Sequence, residues 1–462
     1  MQLINNKMHL GYNVDMGIFS SLNREKKEAI IILQIGTFLE YFDLMIYVHM
    51  SVMLNELFFP KTDPATASLI AATTFCLTFI LRPFGALIFG YIGDTYGRKS
   101  TVIITTTMMA VCCVSMAILP TYAQIGITAA WMLIICRIVQ GLSSMGEIIG
   151  AQIYLSETIK KPERYAGVTF IGAADFLGSA AALGVATAVL TCGLEWRYVF
   201  WFGALIAIVG TVARTALRET PDFVNAKFRL KQDLEKFNNL DSSVVFKEDY
   251  LVNKKVNQKT SLAYFFIQCS KPVWFFFIYI YCAGILKNHF NYSPQQIIQH
   301  NLIVQIIEFF GMVCYGYLSY KIYPLKIEKV RIIIISIFII LIPYLLFNTH
   351  TARHLLFIQA FSCLFRPEQC PSAAIYFAHF PVFKRFTYVS FLYATSRALI
   401  YTITSFALVC LTNIFNYWGL LIVFIPVMIG FKWGVSHFEK LEKVAGNYPL
   451  TSRPNQEASV VV

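Results

Sequence analysis

The sequence predicts an all-α integral membrane protein, with twelve transmembrane helices in two pseudo-symmetric halves of six. Three observations predict it. Of 462 residues, 57% are hydrophobic and only 14% charged, with a mean hydropathy of +0.59; soluble globular chains are about 45–50% apolar and about 25% charged. The apolar residues fall in long runs, each able to supply the ~20 helical residues that a ~30 Å hydrocarbon core demands. The Lys and Arg residues concentrate in alternate loops, the pattern that marks cytoplasmic loops.

Residues 1–28 are polar and basic, with Lys7, Arg24, Lys26 and Lys27, and are expected to form a cytoplasmic segment. They lack a short apolar core with a cleavage site, so the first span is read as an uncleaved insertion signal. The first half, 29–217, holds spans at 29–53, 65–91, 100–120, 127–154, 166–190 and 196–217. A hydrophilic stretch at 218–260 follows, read as a cytoplasmic linker with some amphipathic helix. The second half, 261–436, holds spans at 261–287, 295–321, 330–347, 352–378, 386–411 and 414–436, and 437–462 is a polar tail. Loops assigned inside carry Arg98 and Lys99; Lys160, Lys161 and Arg164; Lys326, Lys329 and Arg331; Lys384 and Arg385. Loops assigned outside carry little beyond Lys61, Arg197, Lys287 and Arg353, so both termini are expected inside.

Composition also narrows the function. The net charge of +12 is scattered over loops, which speaks against a nucleic-acid-binding face. Most of the 11 cysteines sit inside apolar runs without a ligand-like spacing, so neither a metal site nor a disulfide framework is expected. A phosphate-binding G-x-x-x-x-G-K-S/T loop is missing, which argues against ATP as the energy source. No cofactor is expected, no nucleophile–base constellation assembles, and the reading is not an enzyme. A repeated filter sequence, as a channel would need, is also missing.

The charged turn from Gly90 to Lys99, GYIGDTYGRK, joins the second and third spans. Gly90 and Gly93 suit close helix contact, and Gly97 suits a chain reversal at positive φ. Asp94, Arg98 and Lys99 belong in water or a polar seam; a plain solvated loop is the alternative reading. The spacing resembles the signature loop of the major facilitator superfamily, with Thr95 where that family usually has a base. Further stretches resemble its metabolite:proton symporter branch, which includes proline/betaine transporters: IGTFLEYFD from Ile35, LRPFG from Leu81, RIVQG from Arg137 with Gly146-Glu147 and Gly150-Ala151, Glu195-Trp196-Arg197, and RETPDF from Arg218. Met145 replaces one glycine of that pattern. In the second half Gly316 matches the turn, but Tyr320 stands in place of its acid and no Gly-Arg follows.

Ionisable residues inside spans are costly and become candidates for function. Gly36, Glu40, Asp43 and Tyr47 share one face of the first span, with Glu40 about 16 Å deep. Arg137, Gln140, Ser144, Glu147 and Ala151 form a stripe on the fourth span. Glu40 and Asp43 read as a proton or cation site, or as structural partners of arginines. Arg137 reads as a carboxylate-binding fork or as their neutralising partner. Pro83 should kink the second span, and Arg82 beside it reads as structural. Glu308, Arg366, Glu368 and Arg397 are candidates in the second half, and Arg366-Pro367-Glu368 could mark a broken helix. Tyr41, Phe42, Trp131, Tyr154, Trp274 and Tyr281 lie near the stripes, where a ring could hold a quaternary ammonium. The resemblance implies a monomeric transporter of a small polar solute such as proline or betaine, with protons as the coupling ion. Substrate and proton residues would be Glu40, Tyr41, Asp43, Arg137, Gln140 and Glu147. Gating residues would be Gly90, Asp94, Gly97, Arg98, Lys99, Glu157 and Arg164, with Arg98 meeting Glu157 and Asp94 lying near Phe386. It also implies a bacterial inner-membrane location. The second reading is a degenerate paralogue that binds a solute or partner without efficient transport.

Overall fold

In hydrocarbon a backbone must bond to itself, and helices are the simplest way for a single run to do so. The computed structural model describes residues 17–60, 64–193, 195–238 and 256–449, and these are helical apart from short turns. The remaining parts of the N-terminal segment, linker and tail lie outside the described residues, as do the side chains of Tyr47 and Glu147. The helices are α1 (Arg24–Phe58), α2 (Pro64–Thr95), α3 (Arg98–Ile118), α4 (Ile127–Glu147), α5 (Ile149–Thr158), α6 (Glu163–Cys192), α7 (Arg197–Thr215) and α8 (Pro221–Asn238). They continue with α9 (Gln258–Phe275), α10 (Cys282–Phe290), α11 (Pro294–Lys321), α12 (Pro324–Phe347), α13 (Ala352–Phe365), α14 (Ala373–Ala378), α15 (Val382–Phe415) and α16 (Gly419–Val444). Among the described residues, nine segments are long and apolar enough to cross a membrane; α2 and α15, of 32 and 34 residues, are as long.

Helices α1 to α7 pack on one another, as do α9 to α13 with α15 and α16, while the short α14 lies against α5 and α6 of the first group. Two long pairs cross between the groups, α2 with α15 and α6 with α11. The largest apolar core is continuous across that boundary and includes Phe170, Met312 and Phe386. The helix ends that carry the Gly90–Lys99 turn, the 159–163 turn and the start of α15 lie together. We call this the turn end.

Several expected spans are interrupted, for identifiable reasons. The span expected at 352–378 is two helices, α13 and α14, parted at 366–372 where Pro367 and Pro371 cannot donate to a helical ladder. Buried side chains take up the carbonyls that this break exposes. Arg331 donates to Cys370 O at 2.8 Å and to Arg366 O, and Ser270 donates to Pro367 O at 2.8 Å. The fourth span is broken between α4 and α5 at Ile148. The seventh widens into a π turn, Phe276–Tyr281, between α9 and α10, four residues after Pro272. There the Gln359 side chain donates to the Ile278 carbonyl at 2.7 Å. The ninth span begins at Pro324 rather than 330, and the last begins at Gly419 rather than 414. The chain turns there through Asn416 at a φ of 50°, a conformation that asparagine tolerates better than most side chains.

Candidate functional site

The turn end is held by a polar lock that joins the two helix groups. Gly90 lies so close to α15 that a Cβ there would sit 2.6 Å from Thr387 Cα. That approach brings Asp94 onto the first turns of α15. Its carboxylate accepts from Phe386 N at 3.1 Å, Thr387 N at 2.9 Å and Thr387 Oγ1 at 2.8 Å. Arg98, 3.4 Å from Asp94, donates to Val382 O at 2.6 Å. The two side chains thus reach Val382 C=O and Phe386 N–H, groups four residues apart that pair in a regular helix. Arg98 also grips Glu157 through Nε at 3.1 Å and Nη2 at 3.2 Å. Glu157 accepts in addition from Arg385 at 2.8 Å and from Thr220 Oγ1 at 2.7 Å.

Sequence reasoning assigned no role to Glu219, and the structure gives it one. Gly97 has a φ of 120°, and a Cβ at that position would meet Glu219 Oε2 at 2.0 Å. The Glu219 carboxylate sits over the start of α3, accepting from Arg98 N at 2.9 Å and Lys99 N at 3.3 Å. Those N–H groups have no partner within the helix, and the helix dipole favours an anion there. Glu219→Ala is expected to lower stability by about 1 kcal/mol, as loss of a helix cap does. Thermal unfolding of the purified chain in detergent measures it; an unchanged midpoint would show that the contact is incidental. Arg164 stays within its own turn, donating to Ile159 O at 2.8 Å.

The matching corner of the second group is built differently. A Cβ on Gly316 would lie 2.5 Å from the Phe170 ring, so α11 approaches α6 as α2 approaches α15. The charges lie elsewhere. Glu442 bonds Tyr323 and His379, the latter at 2.9 Å, while Glu439 pairs with Lys329 at 2.7 Å and Lys443 at 2.8 Å. None of these acids occupies the Tyr320 position.

Away from the turn end the first group buries two acid–arginine pairs. Arg82, beside Pro83 in α2, reaches Glu40 at 3.2 Å, and Arg137 lies 3.6 Å from Asp43. Gln140, one turn from Arg137, accepts from it at 2.8 Å. All five polar side chains are nearly inaccessible. The two carboxylates of one helical face therefore have different arginines beside them.

A larger network lies where the groups meet. Lys271 of α9 donates to Asp175 of α6 at 2.7 Å and lies 3.2 Å from Glu368. Its ammonium is 5.5 Å from the Tyr41 ring and 5.2 Å from the Phe176 ring. Asp175 is about 18 Å along α6 and Lys271 about 20 Å along α9, so the bridge is near mid-depth. Arg366 reaches Glu368 at 3.2 Å and also pairs with Glu308. The π turn presents Tyr279, whose hydroxyl donates to Glu308 at 2.5 Å. A second crossing joins Gln369 to Gln152 at 3.0 Å. Asp175 and Lys271 were missed from the sequence, although each is an ionisable residue in a long apolar run. Of the aromatic candidates, Tyr41 lies beside this network. Trp131 is exposed on the outer face, Trp274 stacks on Phe424 in the core, and Tyr154 bonds the Arg218 carbonyl.

Comparison with known proteins agrees with this architecture. A sequence profile described as Major Facilitator Superfamily matches residues 33–405. A proline/betaine transporter of Salmonella typhimurium is 30% identical over 297 residues, 62% of this chain and 57% of that protein. An inner membrane metabolite transport protein of Escherichia coli is 33% identical over 222 residues, 46% of this chain and 50% of that protein. The chain thus spans about half the length of these curated relatives. The solved structure of a proton:xylose symporter bound to 6-bromo-6-deoxy-D-glucose shares the fold, with a TM-score of 0.69 over 91% of this chain and 95% of that one, at 13% identity. With the profile covering most of the sequence, the chain belongs to the Major Facilitator Superfamily.

Proposed function

We propose that the chain is a secondary active transporter that moves a small zwitterionic or carboxylate solute together with a proton by alternating access. The observation that carries this reading is the buried Asp175–Lys271 pair, which joins the two helix groups near mid-depth. A buried ion pair seldom stabilises a fixed structure better than apolar packing would. In a membrane span such charges mark a pathway for substrate or ions. In this reading twelve spans form two halves of six, with both termini cytoplasmic in a bacterial inner membrane and a monomer as the working unit. Glu40, Tyr41, Asp43, Arg137, Gln140 and Glu147 serve the solute and the proton. Gly90, Asp94, Gly97, Arg98, Lys99, Glu157 and Arg164 form the gate, and Arg82 and Pro83 shape the second span. The names of the proline/betaine relatives make those two solutes the first to try.

One observation favours a second reading, a paralogue that binds without efficient transport: Tyr320 replaces the acid of the second turn. Purified chain in liposomes separates the two. Labelled proline or betaine should accumulate when the outside is made acidic, and a protonophore should abolish the accumulation. Exchange of internal for external solute without accumulation would favour the second reading. Neither exchange nor accumulation of these or related solutes would overturn the transport reading.

A further inference from the structure

A groove of about 700 Å³ opens on the outer face of the second group, between α11, α12 and α13. Its walls are apolar, formed by Phe310, Leu318, Ile322, Val330 and Leu364, and Phe310 and Val330 are exposed. It runs along α11 from Ile306 to Leu318, twelve residues or about 18 Å, and on to Ile322 just beyond the helix. One leaflet contributes only ~15 Å of a ~30 Å hydrocarbon core, so the groove can take an acyl chain over the full depth of the leaflet nearest the turn end.

One lysine borders the groove. Lys326 lines it in the first turn of α12, a turn that contains no acid. A cation at a helix start opposes the helix dipole. The neighbouring lysines are engaged, Lys329 by Glu439 at 2.7 Å and Lys321 over the Tyr317 ring at 4.5 Å. Lys326 has no acidic partner among the described residues. Nearby Glu328 is buried and held by Arg331 at 3.0 Å. A phosphate anchored to an acyl chain in the groove would supply the missing anion for both the ammonium and the helix start, with its full charge only where the headgroup has no ammonium of its own, as phosphatidylcholine has.

We infer that this groove is a binding site for an anionic diacyl phospholipid, with one chain between α11, α12 and α13 and its phosphate on Lys326. The inference needs only that the second group stands in a membrane; it does not depend on the solute or the coupling ion. The lipid would lie against side chains that border the buried network. Tyr315, Arg331 and Leu364 line the groove and also a small cavity that reaches Glu308 and Glu368.

Leu318 lines the groove, so Leu318→Trp places a fluorophore there, read as the difference from the parent chain. In liposomes mixing phosphatidylglycerol and phosphatidylcholine, with the acyl chains of one or the other brominated, quenching gives the relative affinity of the site. Phosphatidylglycerol should be preferred about fivefold, equivalent to the ~1 kcal/mol that one basic residue contributes beside an anionic lipid. Adding Lys326→Gln should bring the ratio to about one, and Lys326→Arg should keep it. A ratio near one with Lys326 intact, or a preference that survives Lys326→Gln, would overturn the site and leave ordinary annular lipid. If Leu318→Trp does not fold, native mass spectrometry of the unmodified chain decides instead. A retained phosphatidylglycerol that Lys326→Gln loses supports the site; equal retention by both chains overturns it.

Discussion

Glu157→Gln is expected to unlatch the turn end. The carboxylate has no accessible surface and is shared by two guanidiniums, Arg98 at 3.1 Å and Arg385 at 2.8 Å. An amide cannot neutralise either. Arg98 would keep Asp94 at 3.4 Å, and Arg385 would keep the half-exposed Asp222 at 3.5 Å. Breaking a buried pair on one side costs about 3–5 kcal/mol. A form in which the two groups part and water reaches the arginines escapes that cost. A 3 kcal/mol change shifts such an equilibrium by more than about a hundredfold. Spin labels at Tyr96 and Tyr388, both exposed and in different groups, read the distance across the seam. We expect one short distance in the parent chain and a second, longer population in Glu157→Gln. Asp94→Asn retains an acceptor oxygen for the α15 backbone and should shift the population less, in the same direction. A single short distance in Glu157→Gln would show that the lock is packing and not a latch.

Asp43→Asn is expected to uncouple solute movement from the proton gradient. Desolvation disfavours a carboxylate's charged form, and an adjacent guanidinium restores it. Arg137, 3.6 Å from Asp43, is the group that can do so. If a solute carboxylate engages Arg137, Asp43 loses part of its counter-charge and takes a proton more readily. Proton and solute then strengthen each other's binding by linkage. Asparagine cannot carry that proton. In a one-proton cycle, a gradient of one pH unit sustains at most about tenfold accumulation; Asp43→Asn should bring this to about onefold while solute exchange continues. Arg137→Ala should lose solute binding itself. Glu40→Gln, which removes the acid paired with Arg82 at 3.2 Å beside the α2 proline, should lower accumulation less than Asp43→Asn does. If the double variant Glu40→Gln/Asp43→Asn still accumulates solute in a pH-dependent way, coupling lies elsewhere. Glu308, with Tyr279 and Arg366 around it, is then the next acid to test.

The sequence alone determined the helical membrane class, because apolar runs and scattered loop charges are one-dimensional properties that hydrocarbon and water read directly. It also pointed to the candidate stripe on α1, since spacing along a helix decides which side chains share a face, while the turn at Asp94 and Glu157 opposite Arg98 came with the family resemblance. Partner choice was not legible there. Glu40 and Asp43 sit on one face, yet Arg82 and Arg137 reach them from two different helices. Asp175 and Lys271 are 96 residues apart, and only the packing of α6 against the second group brings them together. The break at 366–372 was foreshadowed by Pro367, but a prolyl break in a membrane persists only where other groups bond the exposed carbonyls. Arg331 and Ser270, from α12 and α9, do so here. Tertiary structure decided these features because a buried charge or a bare carbonyl is satisfied by whatever lies nearest in space, and sequence separation carries no information about that distance.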